Sequence, residues 1–252
     1  MSSIFLLKGV DYSYYGKDIA LKNISLEIYK SECFAILGAN GSGKSTLLKI
    51  LDGLYFPKKG SVVAFDEPLS EKAFNNEGFK EFFRKKVGFV FQDPDSQLFL
   101  PTVKDEIAFA PMQIGYSKDK IKSLVSEIAK ELGIEGILDK YPFRLSEGEK
   151  KKVAIASVYT LNPDVWLLDE PIFSLDPKSQ WWIVDFLKEL KIKKKTIVVA
   201  THNLGFAKMI ADRCCVLNDN HEIAAIGDIE SVLKNKSLLE ESNLIHQSGV
   251  IA

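Results

Sequence analysis

The sequence has few cysteines and no arrangement that uses them. Cys33, Cys214 and Cys215 are the only three in 252 residues. They show neither the paired spacing of a metal site nor the even number of a disulfide framework, so a reducing compartment is expected. Long apolar runs are also missing. The stretch Thr196-Ile197-Val198-Val199-Ala200 is typical of the longest, far below the ~20 residues that cross a bilayer as a helix. The amino end lacks the charged start and extended apolar core of a secretory signal. Nor is one sign of charge in surplus: 33 Lys and Arg face 34 Asp and Glu, a formal net charge of -1, which argues against a dedicated nucleic-acid binder. No internal repeat or low-complexity linker interrupts the chain. A soluble cytosolic protein of one large or two modest domains is therefore expected. At 46% hydrophobic residues it can build a real core.

What is present is an alternation of strand and helix patterns. Residues 6–14 and 19–28 read as strands joined by a turn at Gly16. Cys33-Phe34-Ala35-Ile36-Leu37 is a continuous apolar run that stops at Gly38, as a strand buried on both faces does. Residues 45–54 read as a helix with Leu47, Leu48 and Leu51 on one face, and 87–91, 165–168 and 196–200 repeat the buried-strand pattern. Ile121, Leu124, Val125, Ile128, Ala129 and Leu132 recur at helical spacing up to Gly133, and Ile183, Phe186, Leu187 and Leu190 do so over 179–190. This alternation implies a parallel α/β sheet covered by helices. The nearly strand-free stretch from about 93 to 160 reads as a helical insertion between two sheet strands. Residues 229–252 read as a polar amphipathic tail, either a short appendage or a partly frayed end.

Gly38-Ala39-Asn40-Gly41-Ser42-Gly43-Lys44-Ser45 fits the G-x-x-x-x-G-K-[ST] phosphate loop, with a strand before it and a helix after it. Its glycines let consecutive N–H groups turn inward as an anion nest, and the helix that follows adds its positive end. Lys44 is placed to reach β- and γ-phosphate oxygens and Ser45 to ligate Mg²⁺. Further along, Val165-Trp166-Leu167-Leu168-Asp169-Glu170 is an apolar strand ending in two carboxylates. Asp169 suits a divalent cation and Glu170 the attacking water. A core strand closed by a solvated acidic turn explains this run equally well when it is taken alone. Likewise Gln92, Asp176 and His202 each have an ordinary reading as a loop polar, a helix start and a surface histidine. Their order and their positions at strand ends favour a joint role.

Gly38 to Ser45, Gln92, Leu145-Ser146-Glu147-Gly148-Glu149, Leu168-Asp169-Glu170-Pro171, Ser174-Leu175-Asp176 and His202 together resemble the ATP-binding cassette (ABC) ATPases. The resemblance implies an α/β, P-loop NTPase fold with a mostly parallel sheet core, an N-terminal antiparallel β part and an inserted helical subdomain. It implies a nucleotide-binding domain over 1–228, with its helical subdomain at about 93–160, and a C-terminal appendage at 229–252. ATP and Mg²⁺ are the implied cofactors. In the resemblance Tyr14 stacks on adenine, with Tyr12 and Tyr15 near enough to compete. Gly38, Asn40, Gly41, Ser42, Gly43, Lys44, Ser45 and Thr46 hold the phosphates. Ser45, Gln92 and Asp169 hold the metal. Glu170 is the catalytic base, and His202, Gln92 and Lys44 complete the reacting group. Ser146 and Gly148 face ATP on another subunit, and Asp176 lies at the subunit interface.

The signature segment departs from the usual L-S-G-G-Q through Glu147 and Glu149. Ser146 to Glu149 is also an S-x-x-E capping box. An inward Glu147 weakens contact with a partner's nucleotide, unless Lys150, Lys151 and Lys152 offset it or it faces solvent. A second resemblance is narrower. Phe91 to Phe99 and Pro101 to Pro111 are similar to the energy-coupling-factor (ECF) importers of cobalt, nickel, biotin and other vitamins. It implies a homodimer or heterodimer of ATPase subunits on the inner face of the membrane, with a transmembrane coupling subunit and a substrate-binding membrane subunit, and no nucleic acid. Ordinary packing is the rival reading of Gln97, Phe99 and Phe109. A non-transport ABC ATPase on ribosomes or DNA, another importer class, and a nucleotide-regulated binder without turnover are the alternative functions. The clusters Lys58-Lys59, Arg84-Lys85-Lys86 and Lys193-Lys194-Lys195 read as solvated charges.

Overall fold

The structure, a computed structural model, describes residues 2–15 and 17–246. Met1, the turn expected at Gly16 and the end of the tail, 247–252, lie outside the described residues. Strands β1 (Ser3–Tyr14), β2 (Asp18–Tyr29) and β3 (Cys33–Gly38) precede helix α1 (Lys44–Leu51). Next come β4 (Lys59–Ala64), β5 (Glu67–Pro68), α2 (Glu71–Phe74), α3 (Glu77–Lys86) and β6 (Val87–Val90). The strand-free stretch holds α4 (Val103–Gln113), α5 (Lys118–Leu132) and α6 (Glu147–Tyr159). The chain continues through β7 (Val165–Asp169), α7 (Pro177–Ile192), β8 (Thr196–Thr201), α8 (Leu204–Ile210), β9 (Arg213–Leu217) and β10 (Ile223–Asp228) to α9 (Ile229–Lys234) and α10 (Lys236–Glu241).

These strands make two sheets. An antiparallel one runs β2-β1-β4-β5, and a six-stranded one runs β10-β9-β3-β8-β7-β6. In the larger sheet β9, β3, β8, β7 and β6 are parallel and only β10 is antiparallel. Continuous apolar runs form its centre because both faces are covered. Val165 and Leu167 pack with α1 and the antiparallel sheet, while Trp166 and Leu168 pack on the opposite side with α6 and α7. A third apolar group seats α9 and α10, through Ile229, Val232 and Leu239, on Ala35, Leu37 and Val216.

Two expectations are corrected here. The first helix ends at Leu51 rather than at 54, because Asp52 caps it and Gly53 turns left-handed at φ 64°. Of the basic clusters, Lys58-Lys59 and Lys193-Lys194 are exposed as expected, whereas Arg84-Lys85-Lys86 is half-buried and paired. Arg84 donates to both the carbonyl and the carboxylate of Asp52 at 2.8 Å, and Lys86 pairs with Asp164 at 2.6 Å. Asp52 is 4% exposed, and burial pushes its carboxyl up to about 7 against the pull of Arg84. The folded chain therefore holds this proton to about pH 7, whereas the unfolded chain releases it near pH 4. The group's contribution to stability is complete below the unfolded value and is lost as pH rises through the folded one. Asp52→Asn removes that loss. The melting temperature of the variant relative to the parent is expected to rise between pH 5 and pH 8; an equal difference at both pH values contradicts the titration.

Candidate functional site

Parallel register brings the carboxyl ends of three strands to one edge. Leu37 pairs with Thr201 across β3 and β8, and Asp169 with Ala200 across β7 and β8. The phosphate loop leaves β3 at this edge, where open α/β sheets bind their ligands. A cleft of about 480 Å³ opens there, lined by Tyr14, Asn40, Gly41, Gly43, Lys44, Ser45, Thr46, Gln92, Glu170 and His202. The structure thus brings most of the expected residues together. Gly43 caps α1 with φ 107°, and a Cβ on it would lie 2.3 Å from the carbonyl oxygen of Ala20 in β2. Only glycine allows the loop to lie this close to the antiparallel sheet.

Lys44 is 6% exposed and folds back onto its own loop, donating to Gly38 O at 2.9 Å and Ala39 O at 3.1 Å. Its Nζ is 3.5 Å from Glu170 Oε1. Glu170 is 5% exposed and has a left-handed backbone at φ 40°, a conformation that costs on the order of 1–3 kcal/mol and persists only where surroundings enforce it. Here the enforcement is explicit. Thr201 Oγ1 donates to Oε2 at 3.0 Å, and the backbone N–H of His202 and its Nδ1 donate to Oε1 at 3.1 and 2.8 Å. Beside it, burial above all and then the charge of Glu170 push the Asp169 carboxyl up, against the Ser45 hydroxyl hydrogen-bonded to it. Asp169 Oδ1 is buried without a hydrogen-bond partner. An orphaned carboxylate oxygen, a hydroxyl and the Gln92 amide on the rim make a hard oxygen set, which fits a divalent cation such as Mg²⁺.

Of the three tyrosines, Tyr14 lines the cleft and shares a 2.8 Å hydroxyl–hydroxyl hydrogen bond with Thr46. Tyr15 is 98% exposed, and Tyr12 stacks on Tyr55 at 5.2 Å. Gly38 lies behind the cleft at the strand end, and Ser42 is buried in the loop. Ser146, Gly148 and Asp176 are elsewhere. They line a separate depression of about 330 Å³ at the starts of α6 and α7. Both bonds of the capping box are present: Ser146 accepts from Glu149 N–H at 3.3 Å, and Glu149 accepts from Ser146 N–H at 2.9 Å. That second bond holds the Glu149 carboxyl below its usual range. Glu147 is paired with Lys150 at 3.1 Å, so its charge is offset locally. Asp176 caps α7 and accepts from Ser179 Oγ at 2.6 Å, and the α-carbon of Gly148 packs on that serine.

Sequence reasoning missed Ile19, Ala20, Phe173, His221 and Lys151 here. Phe173 and His221 line the phosphate cleft; His221 reaches Ser42 O at 3.3 Å from the turn between β9 and β10, a contact no local pattern announces. Lys151 is 1% exposed, and burial pulls its ammonium down to about 8. Its signal was available, because Lys151 lies on the helical stripe of Ala154, Ile155 and Val158.

A phosphate-wrapping loop at the edge of a parallel sheet, with an enforced carboxylate facing it, makes this molecule a P-loop ATPase. A family model described as "ABC transporter" matches residues 21–173, and the chain belongs to that family as an ATP-binding, ATP-hydrolysing member. It is 42% identical over 248 residues to the nickel import ATP-binding protein NikO of Rhodobacter capsulatus, covering 97% of each. It is 40% identical over 238 residues to the energy-coupling factor transporter ATP-binding protein EcfA of Carboxydothermus hydrogenoformans, covering 94% of this chain and 85% of that one. Among solved structures it is similar to CbiO1 of Clostridium perfringens, described as part of the ABC transporter complex cbiONQ, with TM-score 0.81, 32% identity and coverage of 98% and 97%. It is also similar to the cassette MJ0796 in a dimeric post-hydrolysis state bound to ADP and Pi, with TM-score 0.80, 31% identity and coverage of 89% and 98%. Among the described residues no helix is long and apolar enough to cross a membrane.

Proposed function

We propose that the chain is the ATPase subunit of an importer of the energy-coupling-factor type, in the cobalt, nickel and vitamin group, working on the inner face of the membrane. Two cassettes, identical or related, sandwich two ATP molecules. The phosphate loop, Asp169, Glu170 and His202 come from one chain and Ser146 and Gly148 from the other, because one chain keeps these two surfaces apart. Tyr14 receives the adenine, and Asp176 stands at the interface. Ser45, Asp169 and Gln92 would hold Mg²⁺, which when bound would supply charge neutralisation at the phosphates. Glu170, oriented by Thr201 and His202, accepts the proton of the attacking water. Lys44 turns from its loop carbonyls to the phosphates. Closure is stabilised by ATP and released after hydrolysis, and that difference in affinity moves the membrane partner. Residues 1–228 act as the nucleotide-binding domain, with 93–160 as its helical part and 229–252 as a short appendage.

The observation that carries the importer reading is a mostly apolar groove of about 270 Å³ beside the Gln92 loop, lined by Phe89, Phe99, Phe109 and Ala110 with Arg84, Asp52 and Glu106 in its wall. Phe99 is 68% exposed and meets Phe109 edge-on at 5.2 Å. A surface of this kind needs a hydrophobic occupant, and the near-neutral chain offers little to nucleic acid. Purification from solubilised membranes is expected to recover a small multi-span membrane subunit with this chain. Phe99→Asp is expected to lower that recovery by about tenfold or more, as loss of an aromatic anchor does, with ATP turnover of the free chain unchanged. Recovery of ribosomes or DNA instead, or equal recovery with the variant, contradicts the reading.

A further inference from the structure

The Gln92 loop is tied to helix α6 by three side chains. Lys150 Nζ pairs with Asp95 at 2.9 Å. Gln97 spans both parts: its Oε1 accepts from Phe91 N–H at 3.1 Å, and its Nε2 donates to Ala154 O at 2.8 Å and Ser157 Oγ at 3.2 Å. The central tie is Lys151, whose Nζ donates to Phe91 O at 3.0 Å and Gln92 O at 2.6 Å. Lys150 holds the loop at Asp95 and Gln97 reaches back to Phe91 N–H, whereas Lys151 alone of the three holds the carbonyl of Gln92 itself.

Packing alone does not call for an ammonium here. Lys151 is 1% exposed and sits on the apolar stripe of α6, where Ala154 and Ile155 are fully buried. Both of its hydrogen bonds end on backbone carbonyls, and these dipoles together with the nearby charges of Asp169, Asp93 and Glu147 do not fully offset its desolvation. An apolar side chain of equal length fills the same space without that cost. What it lacks is donors for two carbonyls that lie at the start of the loop facing the nucleotide cleft.

We propose that Lys151 is a positioning residue for ATP hydrolysis: its buried ammonium fixes the backbone of Gln92 to the helix that begins at Ser146. The side of the cleft that meets this chain's own nucleotide and the surface presented to the second cassette are thereby held as one body. The proposal rests on the roles given above to Gln92 and Ser146. It adds a residue that touches neither nucleotide and acts through the loop.

The test is a pair of substitutions in the full chain. Lys151→Met keeps the length and removes the donors; Lys151→Arg keeps donors that reach two carbonyls. Lys151→Met is expected to lower kcat by about 10- to 100-fold, the range seen when a reacting group is misplaced by about an ångström. ATP binding, measured by equilibrium titration, is expected to stay at the parental value. Amide exchange is expected to quicken at 91–93 and not at 38–46. Lys151→Arg is expected to retain most of the parental kcat. A role in filling space predicts the reverse order, with Lys151→Met at the parental rate and Lys151→Arg impaired, and that result overturns the proposal. A loss of kcat matched by an equal loss of ATP binding, or unchanged exchange at 91–93, overturns it as well. A parental chain and assembly that turn over no ATP overturn the underlying reading, and the proposal with it.

Discussion

Replacing Glu170 with Gln is expected to slow ATP turnover by about 10²- to 10⁴-fold, the usual contribution of a positioned general base, while ATP binding persists or tightens. The amide has nearly the shape of the carboxylate, so the left-handed backbone at Glu170 and its place beside Thr201 and His202 are retained. Two things change. The amide cannot take a proton from water. The negative charge that raises the Asp169 carboxyl disappears, so Asp169 ionises more readily and holds a cation better. The variant is therefore expected to accumulate as an ATP-bound pair of cassettes, seen by size-exclusion chromatography with nucleotide retained. Hydrolysis at the parental rate removes Glu170 from the base role.

Gly43→Ala is expected to weaken ATP binding by about 100-fold or more, which corresponds to ~2.7 kcal/mol. At φ 107° any L side chain is strained, and the new Cβ would meet Ala20 O at 2.3 Å and Leu21 Cδ2 at 2.9 Å. The carbonyl cannot retreat without disturbing the β1–β2 ladder, where Tyr12 pairs with Leu21. The phosphate loop has to move instead, and its N–H groups lose their common focus. Isothermal titration with ATP and thermal melting of the same sample check this. Parental affinity contradicts the claim that the loop is wedged against the antiparallel sheet.

Much of this fold was legible because its central strands are continuous apolar runs ending in chemistry. Cys33 to Gly38, Val165 to Asp169 and Thr196 to Thr201 each announce a buried strand and deliver a functional residue at its end. The capping box at Ser146 was equally readable, since it needs only four consecutive residues. Other parts rest on contacts distant in sequence. Lys86 and Lys195 are ordinary surface lysines until β6, β7 and β8 bring them to Asp164. Arg84 becomes a partner only because α3 packs beside the end of α1, 32 residues earlier. β9 went unread because its apolar core, Cys214 to Leu217, is short and follows Asp212 and Arg213. His221 depends on a turn meeting the phosphate loop 179 residues away. The separation of Ser146, Gly148 and Asp176 from the cleft is different in kind. Under the proposed function, one signature segment and one phosphate loop serve two different nucleotides.

The central claim is that a single chain does not hold a complete ATP site. The direct measurement is ATP turnover per chain as the concentration of purified protein is varied, with molecular mass followed in parallel by analytical ultracentrifugation. Turnover per chain is expected to rise with concentration, or on addition of a related second cassette, together with a nucleotide-dependent species containing two cassettes. Turnover per chain that is constant on dilution, carried by a species of 28.2 kDa throughout, would contradict it.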